Sequence, residues 1–493
     1  MRKNLFLIVL LAAVKLLIQL LGNRNYGYHR DELLHLSVSE HLDWGFMEFP
    51  PLIGWIGKLS YLLFDYTLMG TRLFPTLAGV AILVLCCLIA KEMKANTYGI
   101  ALAGICTLAF LPFYRNHTLF QPVAFDQLFW TLGFYYLLRY LNTEHPRYLL
   151  LTGATLGLGL TNKYTIIIWA FGIVVGMLFH QKGKVFKNKW WYLSGLLAFF
   201  IVLPNVLWQI QNNFPLLKHL EALKRSQLNQ MNPFAFGLEQ LYFPFTLIIS
   251  IVGVIYLFQQ KNYRPLGIAA IAIFVTMWLL QSKAYYVFAL YPILFAAGAV
   301  KTTQWLTNKR KVWAYLIPVL LLISVIPFIP HLTPVLPIEQ YVQFANLKAK
   351  EGRFELTSDY ADMFGWEEQV KTVDSLYRSL STYERGHCVL WAENYGEAGA
   401  LKILGKKYDL PNPISRHGSF WQWGPGNENA VVWISLGNET AAVTYIFEDV
   451  ELIKTIKHPY AIDEEHNIPV YRCRKPKLPI QQWWKAYEPY IFD

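Results

Sequence analysis

The sequence is poor in charged residues. Only 16% of its 493 residues are Asp, Glu, Lys or Arg, whereas 54% are apolar, and soluble domains usually carry roughly 25% charged residues. The five cysteines lack the spacing of a metal site, and no period of about 20–50 residues indicates a repeat array. These absences argue against a wholly soluble chain, a cysteine-based metal centre and a solenoid.

Long apolar runs are abundant, and they are confined to residues 1–334. About 20 apolar residues cross a bilayer, and somewhat shorter runs can cross within a packed bundle. Eleven spans are predicted, at 4–22, 70–90, 98–113, 119–138, 148–162, 164–180, 191–208, 238–258, 265–281, 284–300 and 312–330. Residues 335–493 have the composition of an ordinary soluble domain. The sequence therefore predicts an α-helical polytopic membrane domain over 1–334, followed by a soluble domain over 335–493.

The net charge of +11 reflects where Lys and Arg are placed. With a cytoplasmic N-terminus, the inner loops carry sixteen Lys and Arg, mostly in short loops, and the longer outer loops carry ten. Cytoplasmic loops are enriched in these residues, so this orientation is favoured, and an odd number of spans places the C-terminal domain outside. The first apolar segment has a basic start but no small-residue cleavage site, so we expect a retained anchor.

Local patterns predict structure on the outer side. In the first outer loop, 23–69, alternating polar and apolar residues from Asp31 to Asp43 predict a surface helix that Gly45 ends. "LKHLEALKRSQL" predicts another interfacial helix in the second loop, 209–237. In the soluble part, "WEEQVKTVDSLYRSL" predicts a helix, and "CVLWAENY", "AVVWISLG" and, more weakly, "YIF" and "VYRC" predict strands. A small α/β domain follows, in which Cys388 and Cys473 are candidates for one disulfide.

Ionisable residues gather at the predicted outer ends of the spans: Asp31, Glu32, Glu48, Arg72, Arg115, Asp126, Lys163 and Lys283. Such groups near membrane depth indicate a functional site. The simpler alternatives are acids at a helix start, a solvated loop carboxylate at Glu48, and basic side chains that reach to the interface.

The spacing of these groups suggests how they combine. Asp31 and Glu48 could converge on a sugar hydroxyl or a metal ion, and His35 lies one helical turn after Asp31. His29 and His41 are expected on the same wet surface. Asp126 needs a partner, which Lys163 or Arg115 could supply. Several cations around an acidic pocket suit a phosphate at the membrane surface.

Several motifs resemble a known family. "DELLHLSVSEHLDWGFMEFPPLIGW" followed by "GTRLFPTLAGVAILVLCCLIAKE" resembles the start of family 39 type membrane glycosyltransferases, which include protein O-mannosyltransferases and the bacterial enzymes that add aminoarabinose to lipid A. The acidic pair, the acid before Pro-Pro and the Arg opening the next span all match. "FDQLFW", "GLGLTNKYT" and "SKAYYVFALYPIL" match later spans of bacterial members, and "ENYGEAGALKILGKKYDLP" and "FWQWGP" are similar to the tails of bacterial relatives.

The resemblance implies a GT-C fold with a C-terminal extracytoplasmic α/β domain, and a polyprenyl-phosphate-linked sugar as donor. It assigns catalysis to Asp31 and Glu48. Substrate binding is expected of Glu32, His35, Arg72, Arg115, Asp126, Lys163, Lys283 and Tyr285. The lipid A enzymes tend to follow the second acid with Lys, where this chain has Phe49, which weakens the case for an aminoarabinose donor. No cofactor is assigned, and a divalent cation is left open.

The expected reaction is inverting transfer of a sugar to an envelope acceptor at the outer face of the bacterial inner membrane. Asp31 would act as general base, and Lys and Arg would stabilise the departing phosphate. The acceptor is open among a lipid A-like glycolipid, a polymer and a protein; nucleic acid is not expected. The alternatives are a transporter or flippase for a lipid-linked sugar, and a glycan-binding protein that uses Trp421 and Trp423, for which core packing is the simpler role.

Overall fold

The structure is a computed structural model that describes residues 2–226, 233–306 and 311–486. Its first part is almost entirely helical. The helices of this part are α1 (Arg2–Gly22), α2 (Arg30–Val38), α3 (Leu52–Phe64), α4 (Leu68–Glu92), α5 (Thr97–Leu108), α6 (Pro112–Asn116), α7 (Pro122–Thr143), α8 (Arg147–Leu160), α9 (Ile166–Leu178), α10 (Lys189–Gln211), α11 (Pro215–Ser226), α12 (Pro233–Gln240), α13 (Pro244–Gln259), α14 (Arg264–Leu279), α15 (Tyr291–Trp305), α16 (Lys311–Ile323) and α17 (Ile329–Leu332). Short 3-10 helices cover His180–Lys187, Ala284–Leu290 and Ile326–Phe328.

Each of the eleven predicted spans overlaps a helix of the structure. Five helices in the described residues are long and apolar enough to cross a membrane alone. They are Arg2–Gly22, Leu68–Glu92, Lys189–Gln211, Ala284–Trp305 and Val312–Leu332. A sixth span results if the pair Phe234–Gln240 and Pro244–Gln259, bent by 100°, is counted as one. The chain is a multi-pass membrane protein, and the number of eleven stays a prediction.

The loop helix α2 differs from its prediction. It ends at Val38, with Ser39 as its C-terminal cap, and does not continue to Asp43 or Gly45. Its residues 32–38 are buried, so it is not a helix lying open on a membrane surface. The prediction was wrong in this respect because α22 of the soluble domain, defined below, covers the helix. The second predicted helix is present as α11, although its last predicted residues lie outside the described ones, and its position at the membrane interface stays a prediction.

The C-terminal part is the predicted α/β domain. Its helices are α18 (Ile338–Phe344), α19 (Ser358–Ala361), α20 (Trp366–Ser379), α21 (Thr382–Gly386), α22 (Tyr395–Ile403), α23 (Gly418–Gln422), α24 (Thr440–Ile446) and α25 (Ile480–Ala486). Its strands are β1 (Ala349–Lys350), β2 (Arg353–Phe354), β3 (Cys388–Ala392), β4 (Pro413–Ile414), β5 (Val432–Leu436), β6 (Phe447–Lys457) and β7 (Asn467–Pro476). Short 3-10 helices follow at Leu404–Tyr408 and Asp463–Glu465. The weak strand candidate "YIF" was mostly wrong, because its first two residues end α24.

Five strands form one mixed sheet in the order β4-β3-β5-β7-β6. β3 pairs in parallel with β4 and β5, whereas β7 runs antiparallel to both β5 and β6. Strand β5 lies between Cys388 on β3 and Cys473 on β7, which places the two thiols about two strand spacings apart. That separation exceeds disulfide reach, and both cysteines are free.

One apolar core joins the two parts of the chain. It contains Leu33 and Leu36 of α2 and Phe120 before α7, together with Leu390 of β3 and Leu401 of α22. All five side chains are 1% exposed or less. The C-terminal domain is therefore packed onto the loop 23–69, and the acids of this loop lie at the boundary between the two parts.

Candidate active site

Asp31 lies in the first turn of α2, and its carboxylate is held from two sides. Gln121 Nε2 donates to Asp31 Oδ2 at 2.7 Å, and the hydroxyl of Tyr395 donates to Asp31 Oδ1 at 3.0 Å. The side chain of His29 caps the helix by accepting from the backbone N–H of Asp31 at 3.2 Å. The Asp31 side chain is nevertheless 36% exposed. It is thus oriented by its partners and still open on one side.

The surroundings keep Asp31 ionised. Its partly enclosed position opposes the charge, but the nearby His29, His35 and Arg115, together with the Tyr395 hydrogen bond, lower the pKa of Asp31 below its ordinary value. His35 stands one turn along α2, as expected, and its Nδ1 donates to the carbonyl of Phe120 at 2.9 Å. An ionised carboxylate with a free face can accept a proton from a hydroxyl.

Glu32, the next residue, has the opposite environment. Both Glu32 and Arg72 are fully buried. Arg72 Nε and Nη2 donate to the two Glu32 oxygens at 3.0 and 2.8 Å, and the backbone N–H groups of Phe120 and His29 each donate to one of these oxygens at 2.9 Å. We call Glu32 and Arg72 the closed pair. The structure gives them each other as partners and leaves neither side chain exposed to a ligand.

Glu48 is bound by the soluble domain. The backbone N–H and the hydroxyl of Ser419 donate to its two oxygens, both at 2.6 Å. A Cβ at Gly418 would stand 1.6 Å from Glu48 Oε1, and the φ of +49° at Gly418 is in the left-handed region. Glycine is therefore needed where the carboxylate meets the chain. Burial raises the pKa of Glu48 despite the hydrogen bonds from Ser419.

Arg115 connects Asp31 to the soluble domain. Its Nη1 donates to Gln121 Oε1 at 2.8 Å, and its Nε and Nη2 donate to Asp359 Oδ1 at 3.1 and 2.7 Å. Gln121 thus links Arg115 to Asp31, and Tyr285 lies within electrostatic range of both charged groups. We call Asp31, Gln121, Arg115 and Tyr395 the open cluster.

The remaining predicted cations lie beside a pair of tyrosines. The ammonium of Lys163 stands 4.2 Å from the ring centre of Tyr286 and 5.4 Å from that of Tyr285. Lys283 lies two residues before Tyr285, and it also lies within electrostatic range of Tyr286. Tyr286 is therefore within range of Lys163 and Lys283, whereas Tyr285 is within range of Asp31 and Arg115.

Asp126 has neutral hydrogen-bond partners. Trp130 Nε1 donates to Asp126 Oδ1 at 3.1 Å, and the hydroxyl of Thr165 donates to Oδ2 at 2.8 Å. Lys163 lies within electrostatic range, as expected, whereas Arg115 has Asp359 and Gln121 as its partners. Asp126 therefore offsets part of the charge of Lys163.

Two aromatic contacts bear on the alternatives. The ring of Phe49 meets the ring of His35 edge-on with centres 4.9 Å apart, so Phe49 lies near the open cluster. Trp423 stacks on His41 with ring centres 4.0 Å apart, and Trp421 packs against the core of the soluble domain. These contacts match the packing role that was the simpler expectation for both tryptophans.

Sequence reasoning missed three polar residues. Gln121 had only one signal, its place before Pro122 at a helix start. Tyr395 had only its place in the motif "ENYGEAGALKILGKKYDLP", which does not reveal a contact with Asp31 across 364 positions. Lys15 is fully buried within the first predicted span, where its ammonium donates to the carbonyl of Phe113 at 3.2 Å. Among the described residues, no group of three or more His, Cys, Asp or Glu side chains is arranged to hold a metal ion.

Comparisons with known proteins bear on this arrangement. Residues 48–208 match the family model described as dolichyl-phosphate-mannose-protein mannosyltransferase. This range includes Glu48, Arg72, Arg115, Asp126 and Lys163, and begins after Asp31. No curated protein matches the chain in sequence.

Two solved structures share the fold of nearly the whole chain. ArnT from Cupriavidus metallidurans bound to undecaprenyl phosphate is 14% identical, with a TM-score of 0.61, and the match covers 94% of this chain and 97% of that one. The same protein in the apo state is 13% identical, with a TM-score of 0.60 and the same coverage. At this identity the likeness shows the fold, and it extends through both the helical part and the soluble domain.

Proposed function

We propose that this chain is a PMT/ArnT-like membrane glycosyltransferase of the GT-C type, which moves a sugar from a polyprenyl-phosphate donor to a hydroxyl of an envelope acceptor. The reaction takes place at the outer face of the bacterial inner membrane, with the N-terminus in the cytoplasm and the soluble domain outside. The acceptor oxygen attacks the anomeric carbon, and the bond from this carbon to the phosphate oxygen breaks. The acceptor proton passes to Asp31, and polyprenyl phosphate leaves with the bonding electrons.

The state of Asp31 is the observation that carries this proposal. Asp31 combines a lowered pKa, two oriented oxygens and an exposed face. A general base needs these properties, because it must be ionised and within reach of the attacking hydroxyl. Glu32 is ionised too but has no exposed surface, and Glu48 has both oxygens bound to Ser419. Asp31 is therefore the base of the proposed reaction.

Lys163 is the cation best placed for the leaving phosphate. The Nε, Nη1 and Nη2 atoms of Arg115 donate hydrogen bonds to Asp359 and Gln121. The Lys163 ammonium instead lies over the faces of two tyrosine rings. A phosphate offers a stronger partner than a ring face, and charge stabilisation of a leaving group is often the largest catalytic effect. Lys283 and Tyr285 complete this side of the site in the proposal.

Glu48 has a supporting part in this scheme. Its bonds to Ser419 fix the backbone next to Phe49, and the ring of Phe49 then rests against His35. We assign Glu48 to shaping the sugar pocket through Phe49, and Glu32 with Arg72 to holding α2 in place. The undecaprenyl phosphate bound in the ArnT structure supports a polyprenyl phosphate as the donor carrier.

Envelope glycans of cells that lack this protein provide the test. Cells are rescued with wild type, Asp31→Asn, or Asp65→Asn as the matched control, because Asp65 is an exposed acid in the same outer loop with a left-handed φ of 49° that Asn tolerates. Mass spectrometry of lipids, polymers and proteins should show a sugar-sized mass that wild type and Asp65→Asn restore.

Asp31→Asn should fail to restore this mass at equal membrane levels, and polyprenyl-phosphate sugar should accumulate. The mass and the molecule that carries it identify the sugar class and the acceptor. Equal rescue by all three proteins would contradict the proposal and favour transport or glycan binding instead.

A further inference from the structure

One side chain of the soluble domain is hydrogen-bonded directly to the Asp31 carboxylate. Tyr395, the first residue of α22, donates its hydroxyl to Asp31 Oδ1 at 3.0 Å. We infer that Tyr395 is a positioning residue for the sugar transfer, by which the soluble domain sets the orientation and proton affinity of Asp31. This inference rests on the proposed function, since it assigns a further residue to the same reaction.

The start of α22 is built so that Tyr395 has little freedom. Asn394 caps the helix by accepting from the backbone N–H groups of Gly396 and Glu397 at 2.8 and 3.0 Å. Its amide nitrogen also donates to Glu465 Oε1 at 2.9 Å. A cap held from both sides fixes the direction in which the first helical residue leaves the helix.

Close packing holds α22 against α2. A Cβ added to Gly399 would stand 2.8 Å from Leu33 Cβ and 3.0 Å from the Leu33 carbonyl carbon, and a Cβ added to Gly396 would stand 3.1 Å from Arg30 Cβ. The two helices therefore approach each other more closely than side chains would allow. Since Asp31 lies on α2 between Arg30 and Leu33, this packing sets the distance between the Tyr395 hydroxyl and the Asp31 carboxylate.

In the hydrogen bond between Tyr395 and Asp31, the tyrosine is the donor and the carboxylate is the acceptor. Burial, and then the charge of Asp31, raise the pKa of the Tyr395 hydroxyl far above its ordinary value. The phenol therefore keeps its proton and acts as a donor. A donor to a carboxylate favours the ionised form, so Tyr395 helps to keep Asp31 ready to accept a proton and leaves its exposed face toward the acceptor.

Tyr395 is one of several groups that act on Asp31. The titratable and charged groups among the others are His29 and His35 from the loop, Arg115 of α6, Tyr285 before α15, and Asp362 from the soluble domain. Among these, Tyr395 is the group from the soluble domain that is hydrogen-bonded to the carboxylate. Removing its hydroxyl leaves the charges of all the others unchanged.

Tyr395→Phe in the full-length protein tests the inference, with transfer measured from a polyprenyl-phosphate hexose over a range of pH. A hydrogen bond to a charged group is worth about 1.5–3 kcal/mol, and one pKa unit corresponds to about 1.4 kcal/mol. The acidic limb of the plot of kcat against pH should therefore shift to higher pH by about one unit, because the pKa of Asp31 rises when the donor is lost. The KM for the donor should remain within about twofold, because the hydroxyl does not touch the sugar carrier in this scheme.

Two variants separate this effect from simple loosening of the soluble domain. Tyr377→Phe removes another partly buried hydroxyl of the same domain, which donates to the carbonyl of Arg385 at 3.3 Å. Lys406→Ala removes an ion pair between this domain and Glu40 of the loop. Neither residue touches Asp31, so neither variant should move the acidic limb.

A substitution that strengthens the hydrogen bond to Asp31 provides a second test if Tyr395→Phe folds poorly. Fluorotyrosine at position 395 is a stronger acid and a stronger donor, so it should move the limb to lower pH. A Tyr395→Phe profile that overlays wild type, or an equal shift in Lys406→Ala, would overturn the inference. These outcomes leave the proposed function intact, which fails separately if wild type and Asp31→Asn transfer no sugar or transfer it equally.

Discussion

Asp31 of the open cluster and Glu32 of the closed pair are adjacent in the chain, but they differ in side-chain exposure and in hydrogen-bond partners. The Asp31 side chain is 36% exposed and takes its partners from a distant helix and from the soluble domain. Glu32 is fully buried and bound by Arg72 and two backbone N–H groups. Consecutive residues of a helix point about 100° apart, so one acid faces the site while the other faces the core. In the proposed function, Asp31 takes part in the reaction, whereas Glu32 stabilises the fold.

The largest effect is expected from opening the closed pair. Arg72→Met leaves the Glu32 carboxylate buried without its cation, and such a loss typically costs about 3–5 kcal/mol of the free energy of unfolding. Thermal unfolding of the purified protein in detergent would measure it. The double variant Glu32→Gln with Arg72→Met should be more stable than Arg72→Met alone, because no buried charge remains. If Arg72→Met alone were as stable as wild type, the closed pair would not contribute to the stability of the fold.

Lys163→Met should lower the rate far more than it lowers the stability of the fold. Losing the cation beside the leaving phosphate is expected to lower kcat by about 10²–10³-fold. The Tm should fall less than that of Arg72→Met, because Asp126, the buried acid within electrostatic range of Lys163, keeps its hydrogen bonds from Trp130 and Thr165. Lys163→Arg should recover part of the rate. Lys58 is the matched control, because its ammonium stands over the ring of Tyr61 at 5.0 Å, away from the open cluster. An equal loss of kcat in Lys58→Met would contradict the assignment of Lys163 to the leaving phosphate.

Gln121→Leu should have a smaller effect on the open cluster. The amide joins Asp31 to Arg115, so its loss frees one Asp31 oxygen without removing any charge. One such bond is worth about 1.5 kcal/mol, which corresponds to roughly tenfold in kcat. Gln127→Leu is the control, since this buried glutamine bonds His117 instead. If the two variants behave alike in a kinetic assay, then Gln121 does not orient Asp31.

The smallest effect comes from pH alone. Burial opposes ionisation of Glu32, but Arg72 and the backbone donors outweigh it and keep the pKa of Glu32 below its ordinary value of 4.5. The unfolded chain therefore binds more protons below about pH 4.5, and stability must fall as the pH falls through this range. Tm measured at pH 7 and pH 4 should show a loss that is reduced in the Glu32→Gln, Arg72→Met double variant. A Tm independent of pH would contradict the assignment.

The sequence predicted what local patterns determine. Apolar runs marked the helices of the membrane part, because a bilayer requires them, and the strands beginning at Cys388 and Val432 followed from β-branched and aromatic residues. The pairing of Asp31 with His35 followed from helical spacing. The exposure of α2 was predicted wrongly, because the soluble domain covers residues that otherwise look like a surface helix.

What the sequence could not show is how distant segments meet. Glu32 and Asp31 look equivalent as acids at a helix start, and only the position of Arg72 in the fold distinguishes them. Tyr395 and Ser419 reach the loop acids across more than 360 positions of the chain. No local pattern encodes such contacts, because they depend on where the soluble domain docks.

The most direct test compares three purified proteins at equal folded amounts: wild type, Asp31→Asn and Glu32→Gln. Release of polyprenyl phosphate from a polyprenyl-phosphate hexose is followed by mass spectrometry, together with Tm. Asp31→Asn should lose at least about 10²-fold in rate with a nearly unchanged Tm, whereas Glu32→Gln should lose several degrees in Tm and keep its rate within about tenfold. An Asp31→Asn protein that retains its rate, or a folded Glu32→Gln protein that loses as much, would contradict the division between the open cluster and the closed pair.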